Sequence, residues 1–190
     1  MLWLILTILA WGLIHSLLAS MAFKSWFQKK IGAELFRGYR LLYNLFSVIS
    51  ALPIVWLLIN LPDKNLYTVP EPWSIVMITI QVVAVIFLIL GVLQTDALAF
   101  VGIRQLFEVR PVVMIKDGLY RYVRHPLYFF GLIILWLAPA STLNLFIVRI
   151  SFSIYLIAGA YYEEKKLMRE FGHEYIEYKQ VTPMFIPRLF

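Results

Sequence analysis

The chain has 190 residues, 62% hydrophobic, 16% aromatic and 15% charged, with a mean hydropathy of +0.80. A soluble domain is nearer ~45–50% apolar and ~25% charged, so the composition excludes a soluble globule and points to one integral membrane domain, residues 1–190, with little room for a separate soluble part. The formal net charge of +6 does not argue for nucleic acid, because the basic residues sit in short segments between apolar runs, as topology signals do. The absence of cysteine excludes a disulfide, a thiolate metal site and a cysteine nucleophile. The three histidines, His15, His125 and His173, are too scattered for a metal cage, and no metal is expected.

The apolar runs come in order. Leu2–Ala19 is the first predicted span. No Lys or Arg precedes it and five follow in residues 21–40, so a retained span is expected rather than a cleaved signal. His15 lies inside this run. A lone intramembrane histidine is ordinarily bonded to a neighbouring helix; a direct role is the sharper alternative. Leu41–Leu61 is the second span, with Pro53 expected to kink it. Residues 61–72, with Pro62, Pro70 and Pro72, read as a short external turn. Trp73–Leu93 is the third span. Asp96 to Arg110 mixes apolar and polar residues and reads as an interfacial helix or the wall of a site.

Lys116–Tyr128 follows, with a turn signal at Asp117-Gly118 and Pro126 fitted to the first turn of a helix. Arg121, Arg124 and His125 add donors there; Tyr120, Tyr122 and Tyr128 add aromatic faces. Leu127–Ala138 is a fourth run of only 12 residues, about 18 Å as a helix. It spans if it continues past Pro139 into Leu145; otherwise it is a hairpin partner of the last helix. Leu143–Tyr162 is the last span, and Arg149 near its outer end is expected to snorkel, with an internal partner as the sharper alternative. Glu163-Glu164-Lys165-Lys166 then emerges, and Tyr175 and Tyr178 mark a small amphipathic helix at the interface.

Lys and Arg number five in 21–40, one in 61–72, five in 96–126, none in 139–144 and five in 162–190. Positive segments stay cytoplasmic, so the N-terminus is expected outside and the C-terminus inside, in a cell inner membrane. The fold class is an all-α integral membrane protein of about five transmembrane helices, the last two a hairpin, with short cytoplasmic interfacial helices. On residue type alone, the two polar segments flanking the last hairpin read as an interfacial collar and a solvated helix end.

Taken together, Gly118-Leu-Tyr-Arg-Tyr-Val-Arg-His-Pro-Leu-Tyr-Phe-Phe-Gly131, Glu163-Glu-Lys-Lys-Leu-Met-Arg-Glu-Phe-Gly172, Tyr175, Tyr178 and Pro183 resemble the catalytic half of the isoprenylcysteine carboxyl methyltransferases, a pattern shared with membrane phospholipid methyltransferases. His15-Ser-Leu-Leu-Ala-Ser20, Tyr39-Arg-Leu-Leu-Tyr-Asn44, Asp96, Phe100-Val-Gly-Ile-Arg-Gln105 and Leu135-Trp-Leu-Ala-Pro139 resemble the branch of NnrU-like proteins and methanethiol S-methyltransferases. The resemblance implies three N-terminal spans in 1–95 and a cofactor-binding catalytic half in 96–190, with S-adenosylmethionine as methyl donor and S-adenosylhomocysteine as product. Carried over motif by motif, it implies a cofactor site lined by Gln105, Val113, Met114, Ile115, Tyr120, His125 and Glu163. On residue chemistry Gly118, Arg124 and Tyr128 are expected to join that site, His125 and Glu163 are the expected catalytic pair, and His15 and Tyr43 are expected on the acceptor side.

These residue types suit that donor. Its carboxylate needs a cation or N–H donors, which Arg124, His125 and the helix start offer; its ammonium needs an acid, which Glu163 offers. The faces of Tyr120 and Tyr128 favour a sulfonium by roughly 0.5–2 kcal/mol each. The prenylcysteine enzymes carry an arginine four residues before the first Glu, where this chain has Gly159. A small thiol or lipophilic acceptor, of the methanethiol type, is therefore expected. Prenylcysteine carboxyl methylation and phospholipid N-methylation are the alternatives within the class. Outside it stand a reductase of the membrane sterol type, disfavoured by length, and a non-catalytic transport or assembly factor.

Overall fold

The computed structural model describes residues 1–108 and 113–187. Arg110 and the last three residues of the expected catalytic half lie outside the described residues. In chain order the elements are α1 (Leu2–Ala19), α2 (Met21–Ile31), α3 (Ala33–Phe36), α4 (Tyr39–Asn60), β1 (Asn65–Thr68), α5 (Trp73–Gln94), α6 (Ala97–Val101), α7 (Arg104–Phe107), a 3-10 turn (Gly118–Arg121), α8 (Pro126–Trp136), β2 (Ala140–Thr142), α9 (Leu143–Phe171) and α10 (His173–Val181). Four of these, α1, α4, α5 and α9, are long and apolar enough to cross a membrane, and the protein is a mostly helical integral membrane protein. At 11 residues α8 rises only about 17 Å, short of the hydrocarbon thickness.

The chain divides into two compact units. The first holds residues 1–64 and 96–111, and α1 packs on α4 in it with Leu4, Ile8 and Ile54 buried. The segment from Asp96 is two short helices broken at Gly102, not one interfacial helix. The Asp96 carboxylate caps α6 by accepting from Ala99 N–H and pairs with Arg104 at 2.6 Å. Asn44 of α4 ties α6 down by donating to the carbonyls of Phe100 and Val101.

The second unit holds residues 65–95 and 112–190. In it α5 packs on α8, α8 on α9, and α9 on α10. Gly91 permits the close approach of α5 and α8, since a Cβ there would lie 2.8 Å from Leu127 Cδ2. The segment expected as a plain turn forms β1, which pairs antiparallel with β2 through Asn65↔Thr142, Tyr67↔Ser141 and Thr68↔Ala140. This pairing stops the fourth apolar run before it can continue past Pro139, and Leu145 belongs to α9 instead.

The same ladder overturns the snorkelling expected of Arg149, which is buried. Its Nη1 donates to Tyr67 Oη at 2.8 Å and its Nη2 to the Ala140 carbonyl at 3.0 Å. Two strands laid over the start of α9 supply acceptors nearer than water. Tyr175 and Tyr178 also depart from expectation. At 2% and 7% exposure they face the protein rather than a lipid interface.

Candidate active site

The second unit builds a polar site at the start of α8. Gly118 opens the 3-10 turn with φ +60°, a left-handed backbone that costs an L side chain about 1–2 kcal/mol. A Cβ there would also meet the Gln94 side-chain amide at 2.3 Å, and that amide is fixed because its Oε1 accepts from Leu119 N–H at 3.1 Å. His125 is the N-cap residue of α8 and Pro126 its first residue, as the sequence predicts. The chain just before α8 is held by the C-terminal segment: Arg124 N–H donates to the Pro183 carbonyl and His125 N–H to that of Met184.

Arg124 is buried, and its donors are engaged within the protein. Nε and Nη2 both reach Glu164 Oε1, at 2.6 and 2.5 Å. Nη1 donates to the carbonyls of Lys179 and Thr182. Lys179 Nζ closes the cluster at 3.0 Å from Glu164 Oε2. The guanidinium thus joins α9, α10 and the C-terminal segment, a buried pair whose remaining polar capacity is met by further bonds.

His125 lies against this frame. Its ring stacks on Tyr128 at 5.3 Å and meets Phe185 at 5.8 Å. Nε2 is 3.4 Å from Glu164 Oε1 but not aligned for a hydrogen bond, and is a buried ring nitrogen with no hydrogen-bond partner. Burial holds the imidazole below its usual pKa, aided by Arg124 and opposed by Glu163 and Glu164. It is neutral at neutral pH. Glu163 differs from its neighbour: its side chain is 44% exposed, Oε2 accepts from Tyr128 Oη–H at 2.8 Å, and His125 Nδ1 is 3.7 Å away. One carboxylate of the doublet is therefore structural and the other open.

Tyr120 sits beside them, its carbonyl accepting from Tyr178 Oη–H at 2.5 Å. Burial, with Glu163 and Tyr178 adding to it, raises the Tyr120 phenol well above the usual range. Burial also pushes Tyr178 up to about 12, with Glu164 adding to it and Arg124 opposing it. Tyr175 Oη is buried without a hydrogen-bond partner. Of the other predicted residues, Met114 and Ile115 are half-buried and Val113 is exposed in the segment leading to the 3-10 turn.

Gln105, His15 and Tyr43 belong to the first unit. Gln105 Nε2 donates to the Ala99 carbonyl at 3.0 Å, and its Oε1 is buried without a partner. His15 bridges two residues of α4, with Nε2 2.5 Å from Tyr43 Oη and Nδ1 3.0 Å from Ser47 Oγ. Ser47 Oγ donates its one proton to the Tyr43 carbonyl at 2.7 Å, so it accepts from His15 Nδ1–H. By the same logic Nε2 accepts from Tyr43 Oη–H, a tautomer assigned by the network. The expectation of a helix-to-helix bond for this histidine is met, and Trp11 stacks on it at 4.8 Å.

The chain matches the family described as NnrU protein over residues 3–134. It belongs to the NnrU family. Relatives of this NnrU chain include methanethiol S-methyltransferase 1 of Bradyrhizobium diazoefficiens, 27% identical over 180 residues, which covers 91% of this chain and 62% of that protein. The methanethiol S-methyltransferase of Crocosphaera subtropica is 25% identical over 184 residues (93% and 70%), and that of a Pseudomonas species is 29% identical over 181 (92% and 68%). The NnrU chain thus spans from 62% to about 70% of the length of these relatives. No solved structure matches it.

Residues outside the predicted site carry much of this frame: Glu164, Tyr175 and Tyr178, which the sequence marked without a site role, and Lys179 and Thr182, which it did not mark. The doublet Glu163-Glu164 was visible, but adjacent helical residues point about 100° apart, and only the inward face of α9 decides between them. That face carries Arg149, Ser153, Ala160 and Glu164, spaced four, seven and four residues apart along α9.

Proposed function

We propose that this protein is a membrane methyltransferase that uses S-adenosylmethionine to methylate a small thiol of the methanethiol type. One observation carries the reading: an open carboxylate, Glu163, is held by Tyr128 beside a neutral, buried histidine whose Nε2 has no partner. These features fit a zwitterionic sulfonium ligand, which needs an acid for its ammonium, hydrogen bonds for its amino-acid end, and aromatic faces. Of the basic side chains weighed from sequence, Arg124 is committed to Glu164, so it acts here by positioning His125. The relatives named methanethiol S-methyltransferases support the same class.

When bound, the donor supplies a methyl group activated by the sulfonium charge. The chain's own residues do the rest. Glu163 takes the ammonium, and Tyr128 fixes that carboxylate in one orientation. His125 holds a hydrogen bond through Nε2 without adding a second positive charge. Tyr120 and Tyr128 present ring faces. Such transfers depend chiefly on alignment, so a site framed by a buried ion pair suits the task. A thiol needs no dedicated base, since a few per cent is ionised at pH 7.

Gly159 supports a neutral acceptor. A side chain there would meet open space, and no cation stands at the position the prenylcysteine enzymes use. The charge distribution supports an N-terminus outside and a site on the cytoplasmic side of an inner membrane. Transfer of radiolabelled methyl to methanethiol by purified protein tests the reading. Activity that disappears in the His125→Ala, Glu163→Ala double variant supports it. A protein that binds donor yet labels only prenylcysteine or ethanolamine lipids would move the acceptor to those classes.

A further inference from the structure

The second unit carries a cleft of about 560 Å³ that shares Gly118 with the candidate site and lies to the α5 side of it. One wall is the last turns of α5, with Phe87, Leu90 and Leu93 exposed; the other is the 3-10 turn and the residues after it, with Arg121 and Tyr122. At 22 residues α5 rises about 33 Å, so Gln94 at its end lies at lipid headgroup level while Phe87 lies within the acyl region. The rim is polar by construction. Gln94 is oriented through its Oε1 by Leu119 N–H, which leaves its NH₂ beside Gly118, where a side chain would not fit. The Arg121 side chain is exposed and, among the described residues, makes no ion pair or hydrogen bond. The nearby Lys116, by contrast, is paired to Glu174 at 2.6 Å.

We propose that this cleft binds an anionic phospholipid, with Arg121 and the Gln94 NH₂ taking the phosphate, and Phe87, Leu90 and Leu93 lining the first part of an acyl chain. A cation above a strip of exposed apolar residues matches an amphiphile with a negative head. A free anion would leave the apolar wall unused, and a zwitterionic lipid would gain less from the arginine. Basic pockets at this depth hold anionic headgroups in the same way.

Native mass spectrometry of the full chain tests this, with phosphatidylglycerol competed against phosphatidylcholine and, in a separate arm, against glycerol phosphate. Wild type is expected to retain phosphatidylglycerol selectively and to ignore millimolar glycerol phosphate. R121Q is expected to lose about five-fold in that preference, R121K to keep most of it, and K116Q to change nothing. An unchanged preference in folded R121Q overturns the proposal, as does displacement of the lipid by glycerol phosphate. So does R121Q weakening S-adenosylhomocysteine binding in phosphatidylcholine discs while leaving lipid preference intact, which would give the cleft to the cofactor. Should R121Q fail to fold, the wild-type competition and R121K still decide: equal retention of the two lipids by wild type sinks the idea.

Discussion

Arg124 and Glu164 face each other with side chains 7% and 4% exposed, and both Nε and Nη2 of the arginine converge on one carboxylate oxygen. The relationship separates the two neighbouring glutamates by role. It also means that the frame of the site depends on a buried charge pair whose halves need each other.

Removing one half should be costly. Glu164→Gln is expected to lower stability by roughly 3–5 kcal/mol, because it leaves a buried guanidinium facing a neutral amide. Lys179→Met should cost ~1 kcal/mol or less, since that lysine is 42% exposed. Replacing both partners, Arg124→Met with Glu164→Leu, should recover much of the loss. Denaturant titration in detergent, followed by helical circular dichroism, checks the order. A Glu164→Gln protein as stable as wild type would contradict the structural role given to this pair.

Glu163 carries the opposite expectation. Glu163→Ala should leave the unfolding midpoint close to wild type and weaken S-adenosylhomocysteine binding at least ten-fold, about 1.4 kcal/mol. Calorimetry of the variant beside its melting curve reads both. Equal affinity in the two proteins would remove Glu163 from the cofactor site.

Gly118→Ala should destabilise by about 1–3 kcal/mol, from the left-handed backbone and from displacement of the Gln94 amide. In a Gln94→Ala background the steric part disappears, so the same substitution should cost only the backbone share, about 1–2 kcal/mol. Equal costs in the two backgrounds would show that the Gln94 contact carries no weight.

The His125 imidazole titrates below the ordinary value of about 6.5, chiefly through burial. The unfolded chain then binds the extra proton first. Stability contributed by the neutral ring is complete above pH ~6.5 and is lost as pH falls from there through the lower folded value. His125→Gln should flatten that part of the stability–pH curve. A curve of the same slope in the variant would assign the acid loss to other groups.

Much of the scaffold was legible from hydropathy alone. The predicted boundaries of α1 match, those of α4 and α5 differ by one or two residues, and α9 begins where expected at Leu143. Periodicity and span length depend on local sequence, which is why these elements read well. The β1–β2 ladder did not, because pairing Asn65–Thr68 with Ala140–Thr142 is a contact between residues more than seventy apart. Arg149 was misread for the same reason, as its acceptors Tyr67 and Ala140 come from that ladder. In the site, local signals found the Gly118 turn and the Pro126 helix start, while the pairing of His125 with Glu163 was legible only through the family resemblance. The inward turn of Glu164, Tyr175 and Tyr178 depends on how α10 packs against α9, which no short motif records.

The most direct measurement is calorimetric titration of S-adenosylhomocysteine into the purified, folded protein in detergent or lipid discs. Saturable one-to-one binding in the micromolar range is the predicted result. No binding up to millimolar ligand, with folding verified in the same sample, would contradict the methyltransferase reading.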